Sequence, residues 1–97
     1  MESRFPASWS YRVRAKFFAP ADQIAVGISP ADGLVEAIDD HTSVVTFGGS
    51  DPVLIAAFLC MFSVDFQVLE PGPVAATLHT VANRCRSALA SVGPFGL

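Results

Sequence analysis

Apolar and polar residues alternate along residues 10–18, the first patterned stretch of the chain. Its apolar members share one side of an extended chain and its cations share the other: Tyr11, Val13, Ala15 and Phe17 against Arg12, Arg14 and Lys16. A period of two residues is typical of a strand with one buried face. The pattern predicts a first strand whose cationic side points away from the core.

A short helix and a hairpin are predicted next. Pro20 suits the first position of a helix, and apolar residues follow at helical spacing up to Ile28. Residues 33–38 and 42–48 read as two strands joined by an Asp-Asp-His turn at residues 39–41. The residues expected to face the core from this hairpin are Val35, Ala37, Val45 and Phe47.

The second helix has no polar side. Asp51 and Pro52 form a strong helix start, and residues 53–62 are all apolar. A helix that is apolar all round is expected to be buried all round, but in a two-layer domain only one side can contact the sheet. Either the last helix and the tail cover the other side, or a partner does. The candidate contact residues are Leu54, Phe58, Met61 and Phe62.

A fourth strand and a last helix complete the pattern. Residues 65–69 alternate with Phe66 and Val68 inward, and a Pro-Gly-Pro sequence at residues 71–73 starts the helix. The predicted apolar stripe of this helix is Val74, Leu78, Val81, Cys85 and Leu89.

The element order β-α-β-β-α-β-α predicts an α+β fold. We expect a ferredoxin-like βαββαβ two-layer sandwich, with an antiparallel sheet in the order 4-1-3-2, helices on one face, and an added C-terminal helix. The predicted domain covers residues 10–90, between a linker remnant at 1–9 and a flexible tail at 91–97. Because the first strand is central, Arg12, Arg14 and Lys16 should project from the middle of the open sheet face.

Three interpretations of that cationic row stay open: a solvated or salt-bridged face, a contact with another protein or domain, or a nucleic-acid site. The net charge of −3 and the lack of an aromatic pair on the first and third strands oppose direct nucleic-acid binding. Composition favours a protein partner. The chain is 52% hydrophobic and only 15% charged, against a usual charged fraction of about 25%.

No motif indicates catalysis, a cofactor or a metal. His41 and His79 are expected to be exposed and isolated, and Gly48-Gly49-Ser50 reads as a turn rather than a phosphate loop. Cys60 and Cys85 are expected to be buried, reduced thiols. The longest apolar run has ten residues, whereas a membrane span needs about 20. With no export signal at the N-terminus, these features predict a cytoplasmic protein that is not an enzyme.

Four segments resemble the C-terminal extension, called WCX, of bacterial WYL-domain transcriptional regulators. They are residues 11–15 (YRVRA), 18–22 (FAPAD), 39–42 (DDHT) and 62–71 (FSVDFQVLEP). The order and spacing of these segments carry the resemblance over about residues 10–90. One departure is Ser63, where the family commonly has glycine after the helix.

The resemblance implies a ferredoxin-like regulatory and dimerisation domain. Its partners would be a second copy and the WYL and helix-turn-helix domains of its own full-length chain, with DNA binding in the helix-turn-helix domain. The alternative is a stand-alone module that binds a small ligand near Gly48-Gly49-Ser50. A nucleic-acid-binding ferredoxin-like domain is the third and weakest hypothesis.

Overall fold

The computed structural model describes residues 9–92. The predicted linker remnant and tail lie outside this range, apart from Trp9 and residues 91 and 92. Within it the chain forms four strands and three helices, in the order β1 (Tyr11–Phe17), α1 (Ala21–Ala25), β2 (Gly33–Ala37), β3 (Ser43–Gly49), α2 (Pro52–Cys60), β4 (Phe66–Val68) and α3 (Pro73–Leu89).

The four strands form one antiparallel sheet in the order β2-β3-β1-β4. This is the predicted order, 4-1-3-2, read from the opposite edge. Strand β1 pairs with β3 along its whole length, from Tyr11 opposite Gly49 to Phe17 opposite Ser43. Strand β4 pairs only with Ala15, Lys16 and Phe17. The sheet therefore has a long central pair and a very short edge strand at β4, which limits unwanted pairing at that edge.

The core lies on one face of the sheet, as the alternation predicts. Odd-numbered residues of β1 and β3 supply its floor, and the helices supply its cover: Val13, Ala15, Phe17, Val45 and Phe47 beneath Ile24, Ile55, Leu59 and Val74. On β2, Ala37 lies opposite Ser43 and so faces the core side of the sheet as predicted, but it is not buried. It lines an open groove of about 430 Å³ together with the first turn of α1.

Helix α2 begins as predicted and ends earlier. The Asp51 carboxylate accepts the Val53 backbone N–H at 2.9 Å, and Pro52 occupies the first turn. The capping bond satisfies one of the N–H groups that the first turn leaves without a helical partner, and Pro52 has no N–H to satisfy. The helix ends at Cys60 instead of Phe62, and Ser63 then adopts a left-handed backbone with a φ of 55°.

The two cysteines are free and exposed, so the prediction of buried thiols is wrong. Cys60 lies on the outer side of α2. Cys85 lies on α3 beyond the part of that helix that contacts the domain: Val74 is buried, Leu78 and Val81 are half-buried, and residues 82–92 are all exposed. The apolar stripe of α3 therefore continues past the core that it was expected to cover.

No helix within residues 9–92 is long and apolar enough to cross a membrane.

The left-handed backbone at Ser63 gives a first prediction. A non-glycine residue in this region costs about 1 kcal/mol, because Cβ approaches the following carbonyl oxygen. Ser63→Gly should therefore raise the free energy of unfolding by about 1 kcal/mol, less a few tenths for the added freedom of the unfolded chain. Urea denaturation followed by circular dichroism measures the change.

Ser87→Gly is the matched control, because Ser87 lies inside α3 with ordinary helical geometry and is exposed. It should lower the free energy of unfolding by about 0.5 kcal/mol. If both variants lower it, the backbone at Ser63 carries no strain.

Candidate functional site

The outer side of α2 is an apolar surface without a charged group. Its members recur at helical spacing and are all exposed: Val53, Leu54, Ala57, Cys60 and Met61, here called the α2 outer surface. Leu54 is 58% exposed and Met61 is 53% exposed. Exposed apolar surface of this kind, concentrated on one helix, marks interaction sites more often than single scattered residues do.

The four predicted contact residues divide into two pairs. Leu54 and Met61 belong to the α2 outer surface, whereas Phe58 and Phe62 are half-buried and pack against the core. The Phe58 ring stacks on Phe47 at 6.0 Å between centroids, and the Phe62 ring meets Phe17 edge-on at 5.7 Å. Phe58 and Phe62 therefore hold this segment on the sheet, and Leu54 and Met61 are the predicted contact residues that face outward.

Sequence reasoning missed Val53, which is also exposed on this surface. Because α2 is apolar on every side, its periodicity gives no signal for which side faces the sheet. The packing of Ile55 and Leu59 into the core decides the orientation, and it leaves Val53 outside.

The second half of α3 adds further exposed apolar groups. Helix α3 packs beside α2 and β1 through its first half. Beyond Val81 it presents Cys85 and Leu89 to solvent, the latter 59% exposed, next to the cations Arg84 and Arg86. Two neighbouring helices thus carry uncovered apolar residues, with positive charge near the end of one of them.

The opposite face of the sheet carries the predicted cations. Arg12 lies opposite Gly48, Arg14 opposite Thr46, and Lys16 between Val44 and Gln67. The helices described here pack on the other face, so this side, called the open sheet face below, has no helical cover within residues 9–92. Exposed apolar residues lie around the row of cations: Phe18, Ile38 and Leu69.

Trp9 belongs to the open sheet face, although its position falls in the predicted linker. Its indole Nε1–H donates a hydrogen bond of 2.8 Å to the carbonyl oxygen of Ala31. Its ring packs against Gly48 so closely that a Cβ at that position would overlap it. The glycine allows the close approach. A glycine inside a strand was the available sequence signal for this contact.

The cations of the row differ in their contacts. The Lys16 ammonium lies 5.4 Å from the centre of the Phe18 ring, within the range of a cation–π contact. Arg14 is exposed and makes no side-chain hydrogen bond or ion pair with any residue from 9 to 92. The middle of the row is therefore open to a charged partner.

The hairpin turn is held by local hydrogen bonds. The Asp39 carboxylate accepts the backbone N–H of His41 at 2.7 Å and that of Thr42 at 2.8 Å. The first of these bonds contributes most to a pKa of Asp39 below its usual value, because both stabilise the ionised carboxylate. His41 and His79 are exposed, as predicted. Within residues 9–92 no cluster of His, Cys, Asp or Glu could hold a metal ion.

Comparison with protein-family models finds no match for this chain. Comparison with solved structures also finds no match.

The contact between Trp9 and Gly48 gives a spectroscopic prediction. Trp9 is the single tryptophan of the chain, so its fluorescence reports on this site alone. Gly48→Ala introduces a methyl group where the indole lies, and the ring must leave the sheet surface. The emission should shift to longer wavelength and become easier to quench with iodide, while the circular dichroism spectrum stays that of the folded domain.

Gly49→Ala is the control for this experiment. A Cβ at Gly49 would lie 3.6 Å from the Ile55 side chain, which is an ordinary packing distance. The emission of this variant should match that of the unchanged protein. Equal shifts in both variants, or none in Gly48→Ala, would contradict the assigned position of Trp9.

Proposed function

We propose that this chain is a non-catalytic regulatory and dimerisation domain from the C-terminus of a WYL-type transcriptional regulator. In this proposal the fold is ferredoxin-like, and DNA binding resides in the helix-turn-helix domain of the full-length regulator. Two features support it. The four resembling segments occupy β1, the start of α1, the hairpin turn and the passage from α2 through β4 to α3. The domain also presents a large apolar surface suited to another protein chain.

The observation that carries the proposal is the α2 outer surface. A stable interface between two proteins buries about 800 Å² on each partner. This is roughly an eighth of the 6457 Å² that the chain exposes. Five side chains, four on a helix of nine residues and Met61 at its C-cap, are too few for such an area. We therefore include the neighbouring apolar residues of α3, Cys85 and Leu89, in the proposed interface.

A second copy of the chain is the occupant that fits this surface best. Two-fold dimers bring the same surface of each copy together, so an apolar surface is its own complement. The α2 outer surface has no charge that would be buried or opposed at such an axis. Arg84 and Arg86 would lie toward the rim, where interfaces are polar. We further propose that the protein works in the cytoplasm, where exposed thiols such as Cys60 stay reduced.

The stand-alone ligand-binding module remains the second hypothesis, and no observation favours it. Its predicted site, the turn at Gly48-Gly49-Ser50, is occupied on one side by the Trp9 indole and followed directly by the capping contact of Asp51. The open groove near Ala37 lies at a different end of the sheet. A flat thermal-shift response to a broad metabolite panel would count against this hypothesis.

Leu54→Glu tests the proposed interface. If the protein forms a dimer through α2, this change buries an unpaired carboxylate and removes a leucine contact, together worth more than about 1.4 kcal/mol, or tenfold in Kd. Sedimentation velocity over a range of concentrations should show a dimer for the unchanged protein and a monomer for the variant.

Val26→Glu is the matched control. Val26 is 89% exposed at the end of α1, outside the proposed interface. This variant should dimerise like the unchanged protein. A protein that stays monomeric at high concentration, or a dimer equally weakened by both substitutions, would contradict the proposed interface.

The size of the native polypeptide tests the assignment to a longer regulator. Mass spectrometry of gel-resolved lysate from the source cells should find peptides of this region in a band about three times heavier than the domain, since a typical domain has about 100–200 residues. A native species of the domain's own size would instead favour the stand-alone module. This result is independent of whether the isolated domain dimerises.

A further inference from the structure

A row of positive charge runs along the middle of the open sheet face. Arg12, Arg14 and Lys16 are half of the six cations of the chain, and they alternate along the central strand. Side chains two residues apart on one face of a strand are separated by about 6.8 Å. Charges this close on one flat surface repel one another, so a partner with negative charge gains more here than at scattered surface cations.

Two carboxylates among the described residues share this face near Lys16 without forming an ion pair with it: Glu36 on β2, and Asp65, two residues before the Gln67 that lies opposite Lys16. Glu36 on β2 lies opposite Val44, so the whole of β3 stands between it and Lys16. Two strand spacings amount to about 9.5 Å. Within residues 9–92 neither Arg14 nor Lys16 forms an ion pair with a carboxylate. The positive charges of Arg14 and Lys16 are thus available to a second molecule.

The surroundings of the row are aliphatic. Leu34 and Val44 lie half-buried on one side of it. On the other side Leu69 is exposed, and its backbone N–H donates a hydrogen bond to the carbonyl oxygen of Arg14. Such a surface matches a protein segment in which carboxylates are flanked by aliphatic side chains. The charges then supply register and orientation, and the apolar contacts supply buried area.

A second copy of the domain does not fit this face. A two-fold axis through the open sheet face would place the cations of one central strand against those of the other. Like charges brought together in an interface cost several kcal/mol. The open sheet face and the α2 outer surface therefore have different occupants.

Single-stranded nucleic acid fits less well. Sheet surfaces that bind it stack bases on aromatic side chains. Among residues 9–92, the aromatic residues of this face lie at the two ends of the row, and both are engaged: the Trp9 indole packs on Gly48, and the Phe18 ring is contacted by Lys16. The middle of the row has Thr46 and Val44 instead.

We propose that the open sheet face is a docking surface for an acidic protein segment, with carboxylates paired to Arg14 and Lys16 and aliphatic side chains against Leu34, Val44 and Leu69. This proposal goes beyond the dimerisation function and does not depend on it, because the two surfaces lie on opposite sides of the sheet.

Nuclear magnetic resonance titration of the isotope-labelled protein tests this surface. The probe is a short peptide of alternating glutamates and leucines. The comparison probes are the same peptide with glutamine for glutamate, and an oligothymidylate of equal charge. The acidic peptide should cause saturable shifts of the backbone amides of Arg14, Lys16, Val44 and Thr46. The neutral peptide should cause no saturable shift, and the oligothymidylate should bind more weakly than the acidic peptide.

A pair of double variants makes the test specific. The double variant Arg14→Glu with Lys16→Glu should lower the affinity for the acidic peptide by at least about tenfold, since two attractive contacts become repulsive. Arg84→Glu with Arg86→Glu changes the net charge equally but lies on α3, and it should leave the affinity within about twofold. Arg14→Gln with Lys16→Gln removes the charges without reversing them, and it serves if the first variant does not fold.

Several outcomes would overturn the proposal. Equal weakening by both double variants would mean unspecific charge attraction. Tighter binding of the oligothymidylate at the same amides would assign the face to nucleic acid. Equal affinity for the neutral peptide would show that the cations play no role in binding. The absence of saturable shifts with the acidic peptide would show that this face does not bind it. Sedimentation of Arg14→Glu with Lys16→Glu should still show the dimer, which separates failure here from failure of the α2 interface.

Discussion

The phenylalanine cluster between α2 and the sheet is the contact on which the rest of the structure depends. Phe17 stacks on Phe66 at 5.4 Å and meets Phe62 edge-on, while Phe47 stacks on Phe58. Each such pair contributes about 0.5–1.5 kcal/mol beyond its buried area. The cluster joins the central strands to β4 and α2, so it determines the orientation of a helix whose own sequence favours no side.

That orientation has a direct consequence for function. Once Phe58 and Phe62 face the sheet with Ile55 and Leu59, the remaining apolar residues of α2 must face outward. A domain of this size has one sheet face to cover, and three helices supply more apolar surface than that face can bury. The excess appears as the α2 outer surface and as the uncovered second half of α3, from which we argue for a second copy of the chain.

The central position of β1 has the matching effect on the other side of the sheet. Its odd-numbered residues form the floor of the core, and its even-numbered residues bring three cations to the centre of the open face. If β1 were an edge strand, the same cations would lie at the rim of the sheet, where water would screen their charges more strongly. The strand order therefore places the three cations of β1 side by side in the middle of the open sheet face.

Much of this architecture was determined by the sequence alone. The period-two alternation of residues 10–18 predicted which side of β1 is buried, and the Asp51-Pro52 start and the Asp-Asp-His turn lie where their local chemistry places them, because capping and turn contacts involve neighbours in the chain. The tertiary structure decided what periodicity cannot encode. It selected Leu54 and Met61 over Phe58 and Phe62 as outward residues, exposed Cys60 and Cys85, and brought Trp9 onto Gly48. Each of these outcomes depends on contacts between segments that are distant in the sequence, and these contacts form only when the whole core packs.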